Sequence, residues 1–177
     1  RFNVTRPGLE DPRVREALTF SIDERNIIEN ITQGGQTEAF GFVPDGMESV
    51  TSFGTLTYET PKRGDFDPAR ARELLAEAGY PNGEGFPELE ILINTSEAHR
   101  EIAQAIQEMW RQHLNIDVGI INQEWKVYLD TQNALDFDVA RAGWIGDYMD
   151  PTTFLDLWIS GGGNNNTGWA SEEYDSL

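Results

Sequence analysis

The chain has 177 residues, enough for one domain with a substantial buried core, and its formal net charge is −18. With 13 lysine and arginine residues against 31 aspartate and glutamate residues, nucleic acid and anionic membrane surfaces are disfavoured as partners. The absence of cysteine excludes disulfides, thiol catalysis and thiolate metal sites, and no apolar run reaches the length of a membrane span.

Three helices are predicted in the first 79 residues, and each is opened by an aspartate. A carboxylate at this position accepts hydrogen bonds from the free backbone N–H groups of the first turn. The capping residues are Asp11, Asp23 and Asp67. The second helix is predicted to end at Gly34–Gly35 and the third at Gly79, because glycine adopts the left-handed conformation that ends helices. Residues 36–66, rich in Gly, Thr, Pro and aromatic residues, are predicted to form a long ordered loop.

A strand–helix–strand unit is predicted over residues 89–120. Apolar residues alternate at positions 89, 91 and 93, and again at positions 116, 118 and 120, as they do in strands. Between them, Ser96 is placed to cap a helix that runs to about Leu114. Two strands joined by one helix through short links indicate a parallel crossover. The predicted fold class is therefore α/β.

The last quarter of the chain combines a short strand with a glycine-rich turn. A helix near Glu124–Gln132 leads to a predicted strand Phe137–Gly143, whose alternate residues, including Arg141, share one face. A new helix is predicted to start at Asp150–Pro151. Residues 161–166, three glycines followed by three asparagines, are predicted to form a flexible connector.

Arg141 and Asp147 are the two charges that most need an explanation. A guanidinium among apolar neighbours needs an anion, and a carboxylate six residues later needs a cation or several donors. The simplest interpretation is that the two pair with each other or with neighbours. The alternative is that they hold a zwitterionic ligand between them, with Trp144 as an apolar wall. Spacing alone does not decide between these interpretations.

Neither a metal nor another cofactor is predicted. The only histidines, His99 and His113, lie on the same predicted helix about 21 Å apart at ~1.5 Å per residue, so they cannot share an ion. Gly161–Gly163 is not followed by the lysine of a nucleotide-binding loop. His99 lies in the first turn of its helix, where backbone N–H groups favour an anion, but a solvated surface histidine fits the pattern equally well.

Several segments, in order and at matching spacing, resemble the C-terminal lobe of the oligopeptide-binding proteins of ABC importers. These proteins are extracytoplasmic and deliver peptides to a membrane permease. The segments that carry the resemblance are residues 11–18, 22–25, 69–80, 122–125, 138–151, 166–169 and 173–175. The resemblance implies that residues 1–177 are part of one lobe of a two-lobed periplasmic-binding-protein fold, a mixed sheet with flanking helices, with the N-terminal lobe outside this sequence.

The resemblance also implies capture of a solute rather than catalysis. The expected partners are an oligopeptide ligand, the ABC permease in the membrane and the N-terminal lobe, and the expected location is the periplasm or an extracellular lipid anchor. Relatives with this fold also bind nickel chelates, haem or oligosaccharides, so a non-peptide solute is an alternative. A hydrolase using Asp147 and Asp150 is disfavoured, because close carboxylates are expected by chance in so acidic a chain.

Three residues are implied to hold the ends of the peptide. His99, in the segment Asn-Thr-Ser-Glu-Ala-His, contributes to holding the carboxylate, Arg141 meets the carboxylate, and Asp147 meets the α-ammonium group. Gln132 stands where close relatives carry an arginine, and Thr32 stands near a lysine used with longer ligands. Both differences remove positive charge from the carboxylate end.

The remaining implied contacts involve backbone and aromatic groups. Main-chain groups around Gly143 and Ile145 would pair with the extended peptide backbone as a strand would. Trp125 and Trp144 would form walls of side-chain pockets, although both also fit the description of ordinary core aromatic residues.

Overall fold

The structure, a computed structural model, describes residues 1–61 and 64–177. Lys62 and Arg63, which fall within the predicted loop 36–66, lie outside the described residues. The chain forms two compact units. The first comprises Arg1–Glu38, Asp65–Ala142 and Asn166–Gly168, and the second comprises Ala39–Gly64, Gly143–Asn165 and Trp169–Leu177.

The described residues contain both helices and strands. In chain order, the helices are α1 (Pro12–Phe20), α2 (Glu24–Asn26), α3 (Pro68–Glu77), α4 (Glu97–Leu114), α5 (Trp125–Asn133), α6 (Thr152–Leu155) and α7 (Glu172–Asp175). The strands are β1 (Glu48–Thr51), β2 (Gly54–Thr57), β3 (Leu89–Asn94), β4 (Val118–Gln123) and β5 (Val139–Ala140). A π-helical turn (Ile27–Thr32) follows α2, and 3₁₀ turns occupy Pro81–Gly83 and Asp156–Trp158.

The first unit contains the predicted parallel crossover. Its sheet has the order β4-β3-β5, and β3 pairs in parallel with both neighbours. Phe2 adds an antiparallel bridge to Val139, so the pairing is mixed. The strand–helix–strand prediction and the α/β fold class are confirmed.

The central strand β3 is buried on both faces. Leu89, Ile91 and Ile93 pack into a cluster with residues of α1, α3 and α4, whereas Leu92 packs into a second cluster with residues of α5. In the first cluster Trp110 is 1% exposed, and its indole N–H donates to the Leu18 carbonyl at 2.8 Å. A strand covered by helices on both sides loses the alternation of buried and exposed residues, because each face has its own apolar partner.

The helix starts follow the sequence predictions more closely than the helix ends. The side chains of Asp11, Asp23 and Asp67 accept backbone hydrogen bonds in the first turns of their helices. Ser96 occupies the capping position of α4, but its side chain makes no capping hydrogen bond. Gly79 follows α3 with φ +101°, as predicted, whereas the turn after α2 ends at Gln33, with φ +47°, before the predicted Gly34–Gly35.

Two loop predictions for the second unit need correction. The predicted loop 36–66 contains an antiparallel hairpin in which Glu48 pairs with Thr57 and Thr51 with Gly54. Neither four-residue strand contains a buried residue: β1 alternates only between exposed and half-buried positions, and β2 is exposed throughout. The strands therefore lack the alternation of apolar and polar residues that reveals a strand in a sequence. The predicted connector 161–166 is anchored by Asn165, whose side-chain amide donates to the carbonyls of Trp158, Ile159 and Trp169 at 3.0–3.2 Å.

The predicted strand Phe137–Gly143 is wrong in length, since only Val139–Ala140 pairs with β3. At position 138 a side chain, and not the backbone, bonds the neighbouring strand: the Asp138 carboxylate accepts a hydrogen bond from the Glu90 N–H at 3.0 Å. Phe137 packs in the second cluster and Val139 in the first. The prediction that these two side chains lie on the same face of one strand is therefore wrong. No helix in the described ranges combines the length and apolarity needed to cross a bilayer.

Candidate functional site

Arg141 lies directly after β5, and its backbone is held on both sides. Its N–H donates to the Leu92 carbonyl of β3 at 2.9 Å, and its own carbonyl accepts a hydrogen bond from the Tyr128 hydroxyl of α5. The side chain is half-buried. Among the described residues of its own unit, no hydrogen bond or ion pair involves the guanidinium. The fold thus fixes the main chain of Arg141 and leaves its charge available.

His99 lies in the first turn of α4, within electrostatic range of Arg141. Its Nδ1 is 2.8 Å from the Asn94 side-chain oxygen at the end of β3. Burial and then the positive charge of Arg141 lower the pKa of His99 from its ordinary value of 6.5, against an opposing contribution from Asn94. The imidazole is therefore mainly neutral at pH 7. Because its Nδ1–H is directed to Asn94, its Nε2 becomes a donor only on protonation.

Trp125 is the first residue of α5 and is 55% exposed. Its ring stacks on that of Tyr128, with centroids 5.5 Å apart and planes at 24°. An exposed ring face fixed by a buried ring beneath it suits the role of a pocket wall, because the indole loses little conformational freedom when a ligand packs on it. The structure thus places Trp125 on the surface rather than in the core.

Gln132 and Thr32, the two positions at which the resemblance implied a loss of positive charge, have different surroundings. Gln132, near the end of α5, is 5% exposed, and its side-chain oxygen has no hydrogen-bond partner among the described residues. A residue that contacts a ligand carboxylate needs an accessible donor, and a side chain this buried does not offer one. Thr32 closes the π-helical turn, and its hydroxyl donates to the Gln36 side chain at 2.9 Å.

The second unit holds the other predicted site residues, Gly143, Trp144, Ile145 and Asp147. Gly143 and Asp147 are exposed, and Ile145 is 90% exposed. The Asp147 N–H donates to the Thr153 hydroxyl at 2.9 Å, which fixes the turn, while the carboxylate accepts no hydrogen bond from the described residues of this unit. The indole N–H of Trp144 is buried without a hydrogen-bond partner in the described part of the chain.

The eight predicted site residues divide between the units at the Ala142–Gly143 link. The first unit holds His99, Trp125, Gln132 and Arg141. Within its own unit, each of the charges Arg141 and Asp147 lacks a described partner. Described neighbours in the same unit therefore do not account for these two charges.

Sequence reasoning missed Tyr128, which contacts two predicted site residues. It is 3% exposed and lies between the Trp125 ring and the Arg141 carbonyl. The signal in the sequence was the spacing, because residues three and four apart share a helix face and Tyr128 lies three residues after Trp125 and four before Gln132.

The cavity next to Arg141 is lined mainly by apolar residues. It has a volume of about 240 Å³ within the first unit, and it is bordered by Arg141, Arg1 and Thr19 and by apolar residues that include Ile22, Ile106 and Trp110. In residues 1–61 and 64–177, no group of three His, Cys, Asp or Glu side chains is placed to hold a metal ion. The arrangement is suited to binding an organic anion beside an apolar group.

The sequence matches the family described as bacterial extracellular solute-binding proteins, family 5 Middle, over residues 1–166. The chain belongs to this family. Among curated proteins, it is 38% identical to the oligopeptide-binding protein OppA of Bacillus subtilis (strain 168), over 100% of this chain and 32% of that protein. It is 39% identical to the periplasmic murein peptide-binding protein MppA of Escherichia coli (strain K12), over 99% of this chain and 32% of that protein.

Solved structures show the same fold. A periplasmic oligopeptide-binding protein from Borrelia burgdorferi superimposes with a TM-score of 0.87 at 35% identity, covering 99% of this chain and 34% of that one. Haemophilus influenzae OppA, in a complex with RPPGFSPFR, superimposes with a TM-score of 0.82 at 33% identity, with the same coverage of 99% and 34%. The fold is that of periplasmic binding proteins, and the chain spans about a third of the length of these relatives.

Proposed function

We propose that residues 1–177 are part of the C-terminal lobe of a longer solute-binding protein that captures oligopeptides for an ABC importer. Family membership and several relatives named as oligopeptide-binding proteins support this assignment. The relatives are solute-binding proteins, and we propose the same role for the protein that contains this chain. It would bind a peptide and deliver it to a membrane permease, and it would not be an enzyme. We also propose that the protein acts outside the cytoplasmic membrane, in the periplasm or on a lipid anchor.

The observation that carries the proposal is the guanidinium of Arg141, which lies near His99 and has no hydrogen-bond or ion-pair partner among the described residues of its unit. A half-buried cation with a fixed backbone and no such partner is suited to an anion supplied by the ligand. The C-terminal carboxylate of a peptide is such an anion. His99, held by Asn94, would add a second donor on protonation, and the carboxylate would favour that protonation.

In the second unit we assign Asp147 to the α-ammonium group of the peptide. Its carboxylate is exposed and accepts no hydrogen bond from the described residues of its own unit, while its backbone is held by Thr153. The exposed main chain at Gly143 and Ile145 offers N–H and C=O groups to an extended peptide, and Trp144 supplies apolar surface. Termini and backbone are common to all peptides, so such a site would bind many sequences.

The burial of Gln132 argues against its assignment as a direct ligand contact. Trp125, with its exposed and stacked ring, remains assigned to a side-chain pocket. Carboxylate recognition in this unit is therefore assigned to Arg141 and His99.

Native mass spectrometry of the full-length protein tests the proposal. We expect the purified protein to carry, or to take up, peptides of mixed mass, each released on unfolding. Other relatives are a probable deoxycholate-binding protein at 32% identity and a heme-binding protein at 30%, so haem and deoxycholate belong in the same assay. Uptake of either in preference to peptides would overturn the assignment to oligopeptides.

A further inference from the structure

Tyr128 occupies an unusual position between the sheet and two predicted site residues. Its ring is 3% exposed in the second apolar cluster, yet its hydroxyl reaches the Arg141 carbonyl, just beyond the last paired residue of β5. The ladder partner of Ala140 is Leu92, and the last sheet hydrogen bond in this region runs from the Arg141 N–H to the Leu92 carbonyl. The Tyr128 hydroxyl thus fixes the backbone at Arg141, where the pairing between β3 and β5 ends.

Gln132 lies one helical turn after Tyr128 on α5 and is also buried. Its side-chain oxygen has no hydrogen-bond partner among the described residues. Burial raises the pKa of the Tyr128 hydroxyl, while the positive charge of Arg141 acts in the opposite direction. The hydroxyl is therefore protonated at neutral pH and can donate to the Arg141 carbonyl.

The ring of Tyr128 has a second contact, with Trp125. The two rings are stacked at 5.5 Å, and Trp125 is the more exposed partner. One buried side chain therefore orients both the backbone of Arg141 and the exposed face of Trp125. A rotation of the Tyr128 ring would move both groups together.

We propose that Tyr128 is a positioning residue for ligand binding, acting on the carboxylate through the main chain of Arg141 without touching the ligand. This inference rests on the proposed function and adds a residue to those that the sequence predicted for the site. Recognition of a peptide carboxylate then depends on one buried hydroxyl, that of Tyr128.

Tyr128→Phe in the full-length protein is the test, because it keeps the ring, its burial and its stack on Trp125 and removes only the hydroxyl. Loss of one hydrogen bond is expected to weaken binding of a free-acid tripeptide roughly three- to tenfold. The C-terminally amidated tripeptide should bind equally to both proteins, because it lacks the carboxylate that Arg141 holds. Tyr80→Phe is the matched control, since no hydrogen bond of the Tyr80 hydroxyl occurs among the described residues.

A second measurement is independent of any ligand. Amide hydrogen exchange at Arg141 should be at least threefold faster in Tyr128→Phe and unchanged in Tyr80→Phe, because the hydroxyl and the Leu92 carbonyl hold the same residue. Equal losses for the acid and amide peptides, or unchanged exchange at Arg141, would overturn the inference. If the unaltered protein bound no peptide, the proposed function would fail, and the exchange result would still decide whether Tyr128 positions Arg141.

Discussion

Neutralising Asp147 should weaken peptide binding while leaving the fold intact. The carboxylate is exposed and accepts no hydrogen bond from the described residues of its unit, so Asp147→Asn removes no contact within that unit. Truncating one partner of a buried, hydrogen-bonded charge pair costs about 2–5 kcal/mol. Because Asp147 is exposed without ligand, we expect a loss near the lower limit when the bound ligand covers it. About 2 kcal/mol corresponds to a roughly 30-fold weaker Kd.

Titration calorimetry of the full-length protein with a tripeptide and its N-acetylated form measures this loss. Acetylation removes the ammonium group, so the unaltered protein should prefer the free peptide and Asp147→Asn should largely lose that preference. Asp156→Asn changes the same charge at another exposed position of the same unit and is the control for general electrostatics. If Asp147→Asn kept the full preference for the free peptide, or if Asp156→Asn lost as much, the assignment would be refuted.

Three further predictions concern His99, Trp110 and Gln132. The pKa of His99 lies below 6.5 in the folded protein, so its contribution to stability is present above pH 6.5 and is lost as the pH falls through the folded-state pKa. A bound carboxylate should raise that pKa, so binding should be accompanied by proton uptake. Calorimetry in buffers of different ionisation enthalpy measures this uptake, which should be absent in His99→Gln. Trp110→Ala should lower the free energy of unfolding by about 3–5 kcal/mol in urea titrations, against less than about 1 kcal/mol for the exposed Trp125→Ala. Gln132→Arg should destabilise the fold by about 2 kcal/mol or more, because it buries an unpaired charge, whereas Gln132→Met should be near neutral.

Each of these has a result that contradicts it. Observed binding enthalpies that do not vary with the ionisation enthalpy of the buffer would show that no proton is taken up, and would exclude this role for His99. A similar loss of stability for the two tryptophan variants would mean that Trp110 is not the core residue that its burial indicates. A fully stable Gln132→Arg protein would show that this side chain reaches solvent or an anion.

Patterns that depend on local chemistry were predictable. The three aspartate caps and the crossover β3-α4-β4 follow from side-chain oxygens at helix starts and from apolar periodicity, and both survive in the structure. The hairpin β1-β2 was not predictable, because neither strand has a buried face that would require alternating apolar residues. The short extent of β5 depends on Asp138 bonding the Glu90 N–H, a tertiary contact that no local pattern reveals.

The candidate site was predictable in its residue types but not in its supporting contacts. The proximity of His99 and Arg141 follows from parallel strands, since α4 begins after β3 and Arg141 follows the neighbouring strand β5. The burial of Gln132 could not be inferred from the sequence, because it depends on how α5 packs in the folded chain. Tyr128 needed three-dimensional information, because its partner lies 13 residues away.

A crystal structure of the full-length protein with a bound tripeptide is the most direct measurement of the central claim. The account predicts a carboxylate oxygen of the peptide within hydrogen-bond distance, about 2.7–3.2 Å, of the Arg141 guanidinium. It also predicts that the α-ammonium group lies at a similar distance from Asp147. A peptide bound with its carboxylate and ammonium groups on other residues, and with Arg141 and Asp147 facing water, would contradict the account.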